Sequence, residues 1–190
     1  MILVIDCGSN KSKYIKQIID EFIDVKQCKL LDFNLDDLND VKGVIISGAP
    51  ILITDIDPIP YVQMIAWVKT ISIPILGICF GHQIIGLLHG AFAQKMTPTR
   101  DWEEIGSFEA SPILNRLPID FEMMQDHCET ISIPPGFTLL ASSDSCVNEV
   151  MQNKEQRVFG VQFHPEVSGN FGRILLENFV AICSPAEDYH

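Results

Sequence analysis

Apolar positions along the first half of the chain recur with two alternating periods. Ile2 to Asp6, "ILVID", is an apolar run of strand length, and "SKYIKQIIDEF" then puts Tyr14, Ile15, Ile18, Ile19 and Phe22 at helical spacing. "CKLLDF" reads as a second strand, "GVIISGAP" as a third that ends in a Gly/Pro turn, "YVQMIAWVKT" as a helix and "IPILGIC" as a fourth strand. Strands separated by helices predict right-handed crossovers, and so an α/β fold with a mostly parallel central sheet flanked by helices on both faces. Chemistry in such sheets gathers where the C-terminal ends of the strands meet loops.

After Ala91 the texture changes. Pro, Asp, Glu and Ser interrupt short apolar segments, "FEMM", "FTLLAS", "NEVMQ" and "RVFGVQF", which predict strands and hairpins closing the sheet. "GRILLENFVAIC" follows, with Ile174, Leu175, Phe179 and Ile182 spaced for a final amphipathic helix. No repeat or linker divides the 190 residues, so the expectation is a single domain over 1–190.

Composition narrows the function classes. The longest apolar runs are strand-length and broken by Gly, Pro or charge, so no membrane span is expected. "MILVIDCGSN" lacks a basic leader, which makes a cytoplasmic location the expectation. A net charge of -12 argues against nucleic-acid binding, because 13 scattered Lys and Arg are outnumbered by 25 carboxylates. The six cysteines have no Cys-x-x-Cys pair and read as reduced thiols. No His, Cys and carboxylate set has zinc spacing, and the G-x-x-x-x-G-K-[ST] phosphate loop is absent, so no metal and no nucleotide cofactor is expected in this chain.

Candidate chemistry centres on Gly77-Ile78-Cys79-Phe80-Gly81, the G-x-nucleophile-x-G form of a sharp strand-to-helix turn. Cys79 there faces the unpaired N–H groups and dipole of the following helix, which stabilise a thiolate. The backbone N–H of Phe80 is placed to donate to a developing oxyanion. A general base must come from elsewhere in the chain. His82 and His89 lie on the helix after the turn and point away, and His190 is the terminal residue. His164 directly follows the strand "RVFGVQF", Pro165 stiffens its loop, and Glu166 can return to hold the imidazole. Cys79, His164 and Glu166 form a candidate triad of nucleophile, base and orienting carboxylate. His127 beside Cys128 is set aside as a second pair, since neighbours on an extended segment face opposite sides.

"GICFGHQ" together with "GVQFHPEV" resembles the paired signatures of class I, triad-type glutamine amidotransferases. "VIDCGSNKSKY", "VIISGAP" and "DHCETISIPPGFTLLASSD" extend the resemblance over nearly the whole chain, toward the branch that serves as the glutaminase subunit of two-chain GMP synthases. The resemblance implies a flavodoxin-like sheet with a nucleophile elbow, and glutamine as the substrate. It implies oxyanion donors from Phe80 and from the turn at Gly48 and Ala49, and a pocket lined by Gln83, Asp126 and His127. It also implies a separate ATP-dependent synthetase as partner, with ATP and Mg needed only there.

The sequence departs from that pattern in three places. Ala49 stands where the branch has a second glycine, and alanine resists positive φ, so a turn that must flip predicts low activity until a partner binds. "DHCE" replaces Ser-His-x-Asp, and "AQKMTPTRDWEEIG" replaces a Gly-Arg-Ala segment and reads as a solvated loop or a partner contact. Two alternatives stay open: a free-standing γ-glutamyl hydrolase or peptidase on the same fold, and a non-catalytic relative that binds a partner through the altered loop.

Overall fold

A computed structural model of the protein describes residues 1–155 and 157–184. The strands are β1 (Ile2–Asp6), β2 (Val25–Lys29), β3 (Gly43–Ile46), β4 (Ile75–Ile78), β5 (Ala93–Thr99), β6 (Trp102–Ser107), β7 (Asp120–Met124), β8 (His127–Ile131), β9 (Thr138–Ser142), β10 (Val150–Asn153) and β11 (Val158–Val161). The helices are α1 (Ser12–Ile19), α2 (Ile59–Met64), α3 (Phe80–Leu88) and α4 (Gly169–Cys183).

Nine strands form one sheet in the order β2-β1-β3-β4-β11-β10-β9-β6-β7, and β5 and β8 form a separate two-stranded ribbon. β2, β1, β3, β4 and β11 pair in parallel. The remaining pairs, from β11–β10 outward, are antiparallel. The expected parallel arrangement therefore describes the half of the sheet that carries the candidate site, and the expected hairpins build the other half.

Alternation within β1, β3 and β4 explains why these central strands are apolar almost throughout. Ile2, Val4, Ile45, Leu76 and Ile78 enter one core, closed by Ile15 and Ile19 of α1 and by Leu175, Leu176 and Phe179 of α4. Leu3, Ile5, Val44, Ile46 and Ile75 enter the other, closed by Ile84 and Ile85 of α3 and by Ile65, Trp67 and Val68. Successive side chains of a strand leave opposite faces, so a strand covered on both sides has no polar positions to show.

Three local expectations are corrected. The second strand is Val25–Lys29, and Leu30–Asp32 is a 3-10 turn. Its length is set by pairing of Val25 to Lys29 with Ile2 to Asp6, not by its own apolar residues. The helix at "YVQMIAWVKT" is interrupted at Ile65, which leaves helical geometry at φ -106°, ψ 13°, and a 3-10 turn follows over Ala66–Lys69. "AQKMTPTRDWEEIG" is not a loop: it is β5 and β6, whose polar, mostly exposed side chains hide backbones paired with β8, β7 and β9. Among the described residues no helix is long and apolar enough to cross a membrane.

Candidate active site

Cys79 stands between β4 and α3 at φ 50°, ψ -104°. A non-glycine residue there carries strain of about 1–3 kcal/mol that the surroundings must hold in place. They do so through three backbone hydrogen bonds: Cys79 N–H donates to Val161 O (2.9 Å), Gln83 N–H to Cys79 O (3.0 Å) and Gly81 N–H to Ser47 O (3.2 Å). The flanking glycines serve close approach. A Cβ on Gly77 would lie 2.6 Å from Gly81 C, and one on Gly81 would lie 2.2 Å from the Ile46 carbonyl oxygen. The helix can thus start hard against the sheet, with Cys79 at its N-terminal end, where the N–H of Phe80 has no partner within the helix.

His164 follows β11, next to β4 in the sheet, so adjacent parallel strands deliver the thiol and the imidazole to the same edge. Its backbone is fixed by donation from His164 N–H to Met124 O (3.0 Å) and from Ser168 Oγ to His164 O (2.6 Å). Its Nδ1 lies 2.8 Å from Glu166 Oε1, and both side chains are buried. Burial opposes a charged imidazole here, but the neighbouring Cys79 sulfur and the Glu166 carboxylate outweigh it and raise the His164 pKa to about 10. An imidazolium held between a sulfur and a carboxylate can hand its proton to a leaving group and take one from water.

Two cavities meet at Cys79. The larger, about 380 Å³, is bordered by Ala49, Gln83, Asp126, His127 and Glu129 and falls within the ~300–1,000 Å³ range of small-molecule sites. The other, about 310 Å³, lies toward Ser9, Lys11, Asp126 and His164. Ala49 and Pro50 border both. A Cβ on Gly48 would stand 3.1 Å from His164 Cε1 and 3.6 Å from Cys79 Cβ, so glycine keeps the space beside the sulfur open. Ala49 is not among the residues with positive φ, and the turn as it stands accommodates its side chain.

The pocket residues expected from the resemblance lie together. Gln83 donates through Nε2 to Gln162 Oε1 (3.3 Å) and to Glu129 O (3.4 Å). Asp126, on the turn between β7 and β8, pairs with Lys11 Nζ at 2.6 Å and lies 3.7 Å from Arg100 Nε. Partial burial works against its ionisation, yet the Lys11 hydrogen bond and charge hold its carboxyl below the usual value. His127 uses both ring nitrogens within the protein: Nδ1 lies 3.1 Å from Glu129 O and Nε2 lies 2.9 Å from Gln125 Oε1. It borders the cavity as a fixed wall and makes no pair with Cys128, although Cys128 borders the same cavity.

Two further residues join the site. Gln162 donates through Nε2 toward Cys79 Sγ (3.7 Å), and its position two residues before His164, inside "GVQFHPEV", was the available signal. The Glu129 carboxylate accepts from the backbone N–H groups of Ile53 and Thr54, each at 2.8 Å, and from the Thr54 hydroxyl. It thereby ties the "DHCE" segment to the loop that follows Pro50. His82 is buried against Gly160, and burial drops its pKa to about 3, so it stays neutral. His89 packs on Phe137 beyond the helix end. His190 lies outside the described residues.

Comparison with known proteins agrees with this geometry. A family model described as glutamine amidotransferase class-I matches residues 3–183. A glutamine-hydrolysing GMP synthase subunit of Methanococcus maripaludis is 36% identical over 152 residues, covering 76% of this chain and 75% of that protein. Its counterpart from Methanocaldococcus jannaschii is 35% identical over 151 residues, with the same coverage of each chain. A crystal structure of a candidate GMP synthase subunit from Thermoplasma acidophilum superposes with a TM-score of 0.88 at 28% identity, covering 96% of this chain and 92% of that one. The chain belongs to the glutamine amidotransferase class-I family.

Proposed function

We propose that this chain hydrolyses glutamine to glutamate and ammonia, as a single catalytic unit, and supplies the ammonia to a separate ATP-dependent synthetase that converts XMP to GMP. The observation that carries the reading is the buried Cys79–His164–Glu166 alignment at the meeting point of two cavities. Similarity to the glutamine-hydrolysing GMP synthase subunits of the two methanogens supports the GMP branch.

Cys79 sulfur attacks the side-chain amide carbon, and the carbonyl oxygen takes negative charge facing the N–H of Phe80 and the turn at Gly48 and Ala49. His164 gives its proton to the departing nitrogen as the C–N bond breaks, leaving a glutamyl thioester and ammonia. His164 then takes a proton from water, whose oxygen attacks the thioester carbon; the C–S bond breaks, and glutamate and the Cys79 thiolate result. Glu166 keeps the imidazole oriented throughout. On this reading ATP and Mg act only in the synthetase, this chain holds no metal or cofactor of its own, and both work in the cytoplasm.

The test is glutamate release from glutamine by wild type and Cys79→Ala, alone and with the ATP-using component of a two-chain GMP synthase, ATP and XMP. Release that requires Cys79 and rises with the partner supports the reading. Release that requires Cys79 but ignores the partner points to a free-standing hydrolase, and no release under any condition overturns the proposal.

A further inference from the structure

Behind the cavity wall lies a buried carboxylate that the mechanism above does not use. Glu149 immediately precedes β10 and is fully buried. Its Oε1 is 2.7 Å from Gln125 Nε2 and 2.8 Å from Ser143 Oγ, while its Oε2 has no hydrogen-bond partner among the described residues. Gln125, 1% exposed, continues the chain to His127 Nε2 at 2.9 Å, and His127 Nδ1 ends it at the Glu129 carbonyl oxygen.

The polarity of this chain is set from one end. A carbonyl oxygen only accepts, so His127 carries hydrogen on Nδ1. If the ring is neutral, Nε2 must accept, and Gln125 must turn its amide N–H toward it. Gln125 then offers its oxygen to Glu149, and two acceptors would face each other unless Glu149 supplies a hydrogen. A neutral His127 thus requires a neutral Glu149, and the two orientations of the Gln125 amide correspond to the two places the proton can sit: the orientation in the structure, Nε2 on Glu149 and Oε1 on His127, goes with a charged pair, and the flipped amide, which keeps the same contacts, goes with the neutral one. Resting on the glutaminase reading for its kinetic part, we propose that Glu149 is a positioning residue that carries a proton at neutral pH and, through Gln125, fixes His127 as the neutral Nδ1–H tautomer in the wall of the glutamine cavity.

Groups around both ends favour the neutral arrangement. Glu149 faces Ser143, Gln125, Glu103 and Cys146; burial, with Glu103 adding to it, raises its pKa to about 8 even with Ser143 donating to it and Gln125 in its donating orientation, and the flipped amide removes the second of these opposing bonds. His127 faces His164, His82, Asp126 and Glu103, and burial, aided by the His164 charge, lowers its pKa in spite of the Glu129 carbonyl and the two carboxylates. The zwitterionic alternative would bury two charges and leave Oε2 of the anion without a donor. Above the Glu149 pKa the chain has one hydrogen too few, and the hydrogen bond that holds His127 is lost.

The experiment compares wild type, Glu149→Gln and Glu149→Ala by glutamine kinetics from pH 6.5 to 9.5, and by the infrared carboxylic-acid band over the same range. Glu149→Gln has an N–H fixed where the acid carries its proton. Wild-type KM is expected to rise about tenfold between pH 7 and 9 while kcat changes less than twofold. Glu149→Gln keeps the low KM across the range, and Glu149→Ala has the raised KM at every pH. The infrared band is expected to disappear above pH 8 in wild type and to be absent from both variants. This band needs no turnover, so it tests the protonation even if glutamine is not the substrate. A wild type without the band at pH 7, or a Glu149→Gln KM profile that follows wild type, overturns the proposal.

Discussion

Glu166 borders neither of the two cavities at Cys79, and its effect reaches the chemistry through the imidazole it holds at 2.8 Å. Because the native pKa of His164 lies above the ordinary 6.5, the charged pair contributes its full stabilisation below that value and loses it as pH rises toward about 10. Glu166→Gln is therefore expected to lower the urea midpoint more at pH 6 than at pH 10, and to lower kcat for glutamine hydrolysis by ~10²–10⁴-fold, the range of a disabled acid–base group. A variant equally destabilised at both pH values would show that the carboxylate serves packing alone. At this scale the sequence is readable where chemistry sits beside a backbone signal. Cys79 is bracketed by Gly77 and Gly81, and His164 by a strand and Pro165. Glu129 and Glu149 carry no such mark, because their partners, Ile53 and Gln125, lie 76 and 24 residues away.

The β5–β8 ribbon is the element whose role composition conceals. Apart from the main sheet, it reaches the cavity through His127 and Glu129, and Lys95 on β5 pairs with Asp55 at 2.5 Å. With the Glu129 bonds to Ile53 and Thr54, this clamps the loop that supplies Ile51 and Leu52 to the cavity. A hydrogen bond to a charged acceptor contributes about 1.5–3 kcal/mol. Replacing the carboxylate by Glu129→Gln is expected to speed amide exchange at Ile53 and Thr54 by ~10–100-fold while exchange in β1 and β3 is unchanged. Exchange that stays slow at both amides would mean that the ribbon does not restrain the loop. The polar run from Gln94 to Glu104 resembles solvated chain because most of these side chains stay in solvent and show no apolar alternation, and pairing between distant backbones leaves no trace in side-chain pattern. β2 departs from its expected place for a related reason, its extent being dictated by β1.

Across the whole molecule, one apolar layer spans the parallel and antiparallel halves. Phe179 of α4 is fully buried in the cluster that includes Val4 and Leu76 on one side and Phe121 and Met123 on the other. Truncation of a buried phenylalanine costs about 3–5 kcal/mol. Phe179→Ala is expected to lower the urea midpoints reported by Trp67, beside the parallel half, and by Trp102, on β6, by the same amount, measured in single-tryptophan proteins. Two separated transitions would show that the halves unfold independently. The α/β class is legible because βα alternation near the start writes both periods into consecutive segments, whereas the insertion of the last strand into the middle of the sheet is a long-range event.

That last insertion orders the birth of the site in time. β11 is the final strand among the described residues, yet it lies between β4 and β10, and only beyond it comes His164. A chain synthesised only as far as β10 already has its thiol but neither the strand that accepts the Cys79 N–H nor the imidazole that would activate it. Contacts between such distant segments form late in folding. The nucleophile therefore stays unarmed through synthesis, and reactivity begins only when the sheet closes around its central strand.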